Sequence, residues 1–249
     1  MLGLPLCGAP LDRVHLTRSG DGGGRATPGR VVHVGALPPT EVGRVSGTLV
    51  TSPVRTLIDV ACSSSFLTTV VAADAALRRQ LVSPVELSTA LDQTRRRRGA
   101  AAARRALRFA DGRSESVGES YTRVAMHQAR SPTPELQISI FGPGGTFIAR
   151  TDLGYPAWGV LIEFDGAIKY SKLLAPGQRA EDVVLAEKRR EDRLRDLGYV
   201  VVRLAWNELA DPAAIADRIT AALDRGRRVV DGAGLTGSWS AAPAIGIAG

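Results

Sequence analysis

The chain of 249 residues is 44% hydrophobic and 23% charged, which is an ordinary globular composition and excludes disorder over most of its length. Its two cysteines are too few for a disulfide scaffold. With no signal peptide and no apolar run of membrane-spanning length, the sequence predicts a cytoplasmic protein without a membrane partner. The net charge is +7, and residues 95–113 alone hold eight arginines and one aspartate. Such a concentrated excess favours a polyanionic partner, with a solvated basic helix face as the alternative interpretation.

The first part of the chain, residues 1–94, is predicted as a small α+β domain. Two short strand candidates, VHLTRS and VVHVGAL, lie around a glycine-rich loop. Ser52, followed by proline, predicts the start of one helix, and Ser83 with Glu86 forms the capping box of another. The arginine-rich residues 95–113 are predicted as a linker or helix that leads to a second domain.

Residues 114–228 are predicted as that second domain, an α/β unit with a mixed sheet of about four strands flanked by helices. The tail, residues 229–249, is predicted to be disordered because it is rich in glycine, alanine and serine and almost uncharged. The predicted elements, in chain order, are a helix over 115–129, strands over 136–141, 146–153 and 160–165, a helix over 181–197, a strand over 199–204 and a helix over 211–225.

The turns between the three consecutive strands predict how their side chains pair. The first turn is expected to place Ile138 opposite Ala149, and the second to place Asp152 opposite Glu163. Because side chains alternate along a strand, one face is expected to be a core and the other polar. The predicted core face holds Leu136, Ile138, Ile140, Phe147, Ala149, Leu153, Val160, Ile162 and Phe164. The predicted polar face holds Gln137, Ser139, Arg150, Asp152, Glu163 and Asp165.

Two opposed carboxylates on this polar face call for a compensating charge. Asp152 and Glu163 are expected to have Cβ atoms about 5 Å apart, and like charges in that arrangement destabilise a sheet. A divalent cation would relieve the repulsion, since Mg²⁺ binds one or two carboxylates together with water and phosphate oxygens. In the alternative interpretation the face is solvated and Arg150 neutralises Asp165.

The predicted helix over 181–197 carries charged residues on its buried side. Glu187 and Arg190 lie in one stripe with Leu194 and Leu197. Because charged residues avoid burial unless they are paired, Glu187 and Arg190 are expected to reach the carboxylates of the sheet. The alternative is a pair that extends to solvent at the rim of the domain.

Residues from about 114 to 225 resemble the PD-(D/E)XK superfamily of restriction-endonuclease-like proteins, most of all its very-short-patch-repair branch. The resemblance rests on Glu119 in SVGESYTR, Asp152 in RTDLGYP, the run Glu163-Phe-Asp165-Gly166, the helix EKRREDRLRDLG and the strand VVVRL. It implies a metal-dependent phosphodiesterase in which Asp152 and Glu163 hold Mg²⁺ or Mn²⁺. The candidate catalytic residues are Asp152, Glu163, Asp165, Lys169, Glu119, Glu187 and Arg190.

Three of these candidates have features of their own. Asp165 stands where the superfamily usually has a lysine, which the very-short-patch-repair branch also lacks. Lys169 stands where related sequences often have a histidine, and a lysine is a poorer general base unless its pKa is depressed. Glu119 also fits a capping box with Ser116, which gives it a structural alternative as the cap of its helix.

The first domain resembles the AbiEi-type antitoxin region through PLDRVHLT and TSPVRTLIDVA. In that family a winged-helix segment usually comes first, and this sequence is expected to lack it. The two resemblances imply a Mg²⁺-dependent DNA endonuclease or an inactive descendant of one. The alternative is a non-catalytic DNA-binding regulator of a toxin–antitoxin pair, with a cognate toxin as a further partner. The expected DNA contacts are Arg95, Arg96, Arg97, Arg98, Arg104, Arg105 and Arg108.

Overall fold

The computed structural model describes residues 2–166 and 180–247. The chain divides into two units, one formed by Met1–Gly112 with Ile245–Gly249 and the other by Arg113–Ala244. Within the described ranges, no helix is both long and apolar enough to cross a membrane. Each unit has helices and sheets of its own, so the mixed α and β content expected from the sequence is confirmed.

The first unit contains two small sheets and four helices. The middle strand of its three-stranded sheet, β3, is parallel to β1 and antiparallel to β2, and β4 pairs with β5 in an antiparallel hairpin. The strands are β1 (Val14–Arg18), β2 (Arg25–Thr27), β3 (Arg30–Val34), β4 (Val42–Val45) and β5 (Thr48–Thr51). The helices are α1 (Pro53–Ser63), α2 (Phe66–Arg78), α3 (Pro84–Gln93) and α4 (Ala100–Phe109).

The helices of the first unit begin where the sequence predicts and build its apolar core. The Ser52 hydroxyl accepts the N–H of Arg55 at the start of α1, and Ser83 with Glu86 forms the capping box of α3. Leucines and alanines of all four helices pack together in the core. No residue of β1, β2 or β3 is buried, so the three-stranded sheet makes little use of that core.

The described residues of the second unit form a five-stranded mixed sheet and three helices. The strand order is β10-β6-β7-β8-β9, and all neighbours are antiparallel except the parallel pair β8 and β9. The strands are β6 (Glu135–Phe141), β7 (Phe147–Tyr155), β8 (Val160–Asp165), β9 (Val200–Ala205) and β10 (Ser238–Ala241). The helices are α5 (Val117–Gln128), α6 (Ala180–Asp196) and α7 (Pro212–Gly232). The four strands and three helices predicted for this region are confirmed.

The fifth strand comes from the tail that the sequence predicts to be disordered. Helix α7 continues to Gly232, and Ser238–Ala241 pairs with β6, with Trp239 opposite Ile140. The pairing covers an edge of β6 that would otherwise expose unpaired backbone groups. Low charge and small residues therefore do not prevent this tail from adding a strand to the sheet.

In the first hairpin of this sheet, β6 and β7 pair in a register that is shifted by two residues from the predicted one. Ile138 lies opposite Thr151 instead of Ala149. The chain reverses through Gly144 and Gly145, both with positive φ, so the turn is centred one residue later than expected. An even shift in pairing by itself leaves the facing of each side chain unchanged.

Apolar residues cover both faces of the sheet, which differs from the predicted single core face. Neighbouring residues Leu161 and Ile162 of β8 belong to different cores: Leu161 packs with Leu194 of α6, and Ile162 packs with residues of α5 and α7. Gln137 has a φ of 51°, which interrupts the alternation of β6, and Phe147 is 56% exposed. The predicted set divides into Leu136, Leu153, Val160, Ile162 and Phe164 beside α5 and α7, and Ile138, Ile140 and Ala149 beside α6.

Candidate active site

Three carboxylates from three elements of the second unit interact at the end of the β7–β8 ladder. The predicted register of this second hairpin is confirmed, since Leu153 lies opposite Ile162. One residue further, the Asp152 carboxylate accepts the backbone N–H of Phe164 at 2.9 Å. Glu163 of β8 is 8% exposed, and Glu119 of α5 is also buried. Asp152 therefore lies beside Glu163, as the sequence predicts.

Burial and charge shift the pKa values of the two glutamates. Burial is the main cause of a raised pKa at Glu163. The positive charges of Arg190 and Arg203 oppose that shift, and the negative charge of Asp152 adds to it. Burial, followed by the charge of Asp152, likewise raises the pKa of Glu119. Asp152 thus repels both buried glutamates, which is the electrostatic pattern expected where several carboxylates share one site.

Arg190 of α6 is the closest cation to this cluster. Its Nη2 lies 2.8 Å from Oε1 and 3.0 Å from Oε2 of Glu163, and its Nη1 donates to the Arg150 carbonyl at 3.4 Å. The predicted stripe of α6 is confirmed here, because Leu194 and Leu197 pack into the core below it. Arg190 therefore neutralises Glu163 directly.

Arg203 of β9 is a second cation of the cluster that sequence reasoning misses. Because β8 and β9 are parallel, Arg203 lies directly beside Glu163, with its Nη2 3.7 Å from Oε2 of that glutamate. The same Nη2 lies 3.1 Å from Glu187 and 2.9 Å from Glu191, both on α6. The alternation of side chains in VVVRL puts this arginine on the face opposite Val202 and Leu204. That alternation predicts a contact with Glu163 only once β8 is known to be the neighbouring strand.

Glu119 combines a capping role with membership of the cluster. The Ser116 hydroxyl accepts the N–H of Glu119 at 3.1 Å, and the Glu119 carboxylate accepts the N–H of Glu115 at 2.8 Å. The same carboxylate accepts a hydrogen bond from the Gln137 side-chain amide at 2.9 Å. The predicted cap is therefore present, one residue away from the ideal capping box, and the link to β6 holds Glu119 next to the sheet.

Of the remaining charged residues that the sequence predicts here, the structure describes Asp165 and Arg150. Asp165 is half-buried at the last residue of β8, opposite Ala205. Arg150, predicted to neutralise Asp165 in the alternative interpretation, instead forms an ion pair with Glu115 at 2.7 Å. Lys169 lies outside the described residues.

The arginine-rich segment divides into arginines that are paired within the first unit and exposed arginines without a described partner. Arg97 Nη2 lies 2.5 Å from Asp59, Arg95 Nη2 lies 3.0 Å from Asp92, and Arg104 donates to the Leu91 carbonyl at 3.2 Å. The exposed members, for which the described contacts include no ion pair or hydrogen bond, are Arg96, Arg98, Arg105 and Arg108.

The acidic cluster offers the oxygen donors that Mg²⁺ and Mn²⁺ prefer. In the described part of the chain, no group of three or more histidine, cysteine, aspartate or glutamate side chains is placed to hold a metal ion. Two carboxylates are enough for Mg²⁺, whose other positions are filled by water and substrate. Oε1 of Glu163 is buried and receives no hydrogen bond of good geometry, but both oxygens of this carboxylate lie within 3.0 Å of Arg190 Nη2, so an ion beside Asp152 would compete with that arginine. Asp152 and Glu163 are the two carboxylates of the cluster that would hold such an ion, with Glu163 shared with Arg190.

Comparison with known proteins identifies relatives without an assigned activity. The chain is 35% identical over 206 residues to two Mycobacterium tuberculosis proteins, "Uncharacterized protein Rv2248" of strain H37Rv and "Uncharacterized protein MT2308" of strain CDC 1551. The match covers 82% of this chain and 71% of each relative. No family model and no solved structure matches the chain.

Proposed function

We propose that this chain, which belongs to the family of the Mycobacterium tuberculosis proteins Rv2248 and MT2308, is a metal-dependent DNA endonuclease. The proposal includes a restriction-endonuclease-like origin for the second unit and an antitoxin-like origin for the first. Function depends on the site more than on the fold. The observation that carries the proposal is therefore the position of Asp152 beside two buried glutamates, whose pKa values it helps to raise.

Each residue of the cluster has a defined part in this proposal. A Mg²⁺ or Mn²⁺ ion held by Asp152 and Glu163 would supply an activated water and stabilise charge developing on the phosphate. Asp152 is oriented by the N–H of Phe164, and Glu163 is oriented by the two nitrogen–oxygen contacts of Arg190. Arg203 keeps the buried charge of Glu163 compensated before substrate arrives.

DNA binding is assigned to the exposed arginines of the first unit. Arg96, Arg98, Arg105 and Arg108 have guanidinium groups exposed to solvent and can contact phosphate oxygens. Arg97 and Arg104 are held by Asp59 and by α3, so they contribute mainly to the structure of the unit. Neutralisation of phosphates makes binding of this kind fall steeply with salt concentration.

A second candidate is a DNA-binding regulator of the antitoxin type that performs no chemistry. It is favoured by the fact that each carboxylate of the cluster already has a protein partner. Asp152 accepts a backbone N–H, Glu163 is paired with arginine, and Glu119 caps α5. In this reading the cluster stabilises the second unit, and the partners are DNA and a cognate toxin.

A nicking assay on supercoiled plasmid with MgCl₂ or MnCl₂ separates the two candidates. The nuclease converts plasmid to nicked circles, and Asp152→Asn and Glu163→Gln each lower the rate by about 100-fold or more, because metal coordination supplies several kcal/mol. Asp224→Asn, an exposed acidic residue of α7, is the matched control and keeps the wild-type rate.

DNA binding without cleavage would support the regulator. The nuclease proposal is overturned if the wild-type protein binds DNA in a gel-shift assay, gives no nicking with either metal, and the Asp152→Asn variant binds DNA equally well. Stable co-purification of a second protein, without DNA affinity, would support the toxin partner and overturn both DNA-based functions.

A further inference from the structure

Two histidines meet on one face of the three-stranded sheet of the first unit. In the parallel register of β1 and β3, His15 lies beside Val31 and Thr17 lies beside His33, so both imidazoles project from the same face. Nδ1 of His15 is 3.0 Å from Nε2 of His33, and the ring centroids are 5.2 Å apart. Within the described residues, neither ring makes any other hydrogen bond.

We propose that His15 and His33 form a two-nitrogen site for a divalent transition-metal ion of the Cu²⁺ or Ni²⁺ class. We take the distance between zinc and an imidazole nitrogen, about 2.0–2.1 Å, as the length of the bond to these ions. Two nitrogens 3.0 Å apart can then share one ion at an angle of about 90°, as in the square-planar or tetragonal geometry of Cu²⁺ and Ni²⁺. His15 is exposed, so water can complete the coordination shell.

Metal binding requires only a change of tautomer in this pair. In the metal-free protein one of the two facing nitrogens donates a hydrogen bond and the other accepts it. When a metal ion binds, that proton moves to the other nitrogen of the same ring, and both neutral rings donate a lone pair to the ion.

The location gives the site a local effect on structure. No residue of β1, β2 or β3 is buried, so this sheet depends on backbone hydrogen bonds and on side-chain pairs at its surface. A metal ion bridging His15 and His33 ties β1 to β3. Because a ligand that binds only the folded state stabilises it, amide exchange in these strands is expected to slow when the ion is bound.

The test uses protein free of any affinity tag, titrated with CuCl₂ or NiCl₂ by calorimetry. Wild type binds one equivalent, and His15→Gln and His33→Gln each weaken binding by at least about tenfold, the lower end of what even outer-shell changes cost. Glutamine keeps a hydrogen-bonding group at each position, so the pairing of the strands is retained. His127→Ala on α5 is the matched control and binds as wild type does.

Hydrogen exchange with and without NiCl₂ locates the ion. We expect added Ni²⁺ to slow exchange at amides of β1 and β3 in wild type and in His127→Ala, and to leave both glutamine variants unchanged. Equal metal affinity in all four proteins overturns the proposal, as does binding that leaves exchange in β1 and β3 unaltered. Because the readout involves no DNA, failure of this site and failure of the nuclease proposal are distinguished.

Discussion

Two glutamates occupy the same position of the same sequence pattern, three residues after a capping serine, yet their surroundings shift their pKa values in opposite directions. Glu86 is exposed, and its hydrogen bonds with Ser83 lower its pKa. Glu119 is buried, and burial followed by the charge of Asp152 raises its pKa. The pattern fixes the start of a helix, while the tertiary environment decides how the carboxyl group titrates.

We expect Glu119→Gln and Glu86→Gln to change the pH dependence of stability with opposite signs. A pKa raised on folding means that the folded state binds the proton more tightly. Wild type therefore loses stability relative to Glu119→Gln as the pH rises from 4.5, the ordinary value, through the raised pKa. Wild type gains relative to Glu86→Gln as the pH rises through the lowered pKa toward 4.5. Urea unfolding across the acidic range measures both differences, and slopes of equal sign would contradict the assignment.

The pairing of Arg190 with Glu163 can be measured by a double-mutant cycle. Arg190→Gln removes the two shortest contacts to a buried carboxylate, so we expect it to lower the free energy of unfolding by about 2 kcal/mol. Addition of Glu163→Gln removes the charge that was left uncompensated, which gives a coupling energy of about 1–3 kcal/mol in urea unfolding at neutral pH. Arg193→Gln, exposed on the same helix, is expected to change stability by less than about 0.5 kcal/mol. Additive single-variant effects would show that the two residues act independently.

Helix α5 approaches strand β8 closely because Gly118 has no side chain. A Cβ atom at Gly118 would lie 2.0 Å from the Phe164 ring, which is itself buried in the core shared by α5 and α7. This close approach brings the next residue, Glu119, into the carboxylate cluster. The geometry of the candidate site thus depends on packing between two elements as well as on the acidic side chains.

Gly118→Ala is therefore expected to destabilise the second unit by about 1–3 kcal/mol, the usual cost of overpacking a core. Gly232→Ala is the control, because nothing lies within 4 Å of the added methyl group at the end of α7. That control is expected to leave stability unchanged or raise it by up to about 1 kcal/mol. Thermal unfolding followed by circular dichroism compares the two, and equal midpoints would show that Phe164 moves aside at little cost.

Local signals in the sequence predict most elements of the second unit and much of its candidate site. Periodicity predicts the charged helix α6 and its stripe that includes Leu194, and the position of a turn predicts that Asp152 lies beside Glu163. The structure has these features. Strand β10 and the role of Arg203 do not follow, because each depends on a pairing partner distant in sequence. Local sequence patterns do not show which distant strand will be the neighbour. The nuclease function itself stays a prediction.

At the scale of the whole molecule, the charge is distributed unevenly. The net charge of +7 equals the excess of the segment 95–113, so the rest of the chain is neutral overall. The structure further divides that segment, because Arg97 is held by Asp59 while Arg105 and Arg108 are exposed on α4. Only the exposed arginines can exchange solvent for phosphate without breaking an existing ion pair, so DNA affinity is expected to depend on them.

Salt dependence of DNA binding tests that division. We expect Arg105→Gln and Arg108→Gln each to lower the slope of log affinity against log salt concentration by about 1, the contribution of one phosphate contact, without loss of stability. Arg97→Gln is expected to leave the slope unchanged and to lower stability. Asp59 contacts both Arg55 and Arg97, and this variant leaves it with Arg55 alone of these two. Fluorescence anisotropy on a short duplex over a series of salt concentrations measures the slopes. An unchanged slope in the two exposed variants, or a reduced slope in Arg97→Gln, would place the DNA contacts on another surface of the protein.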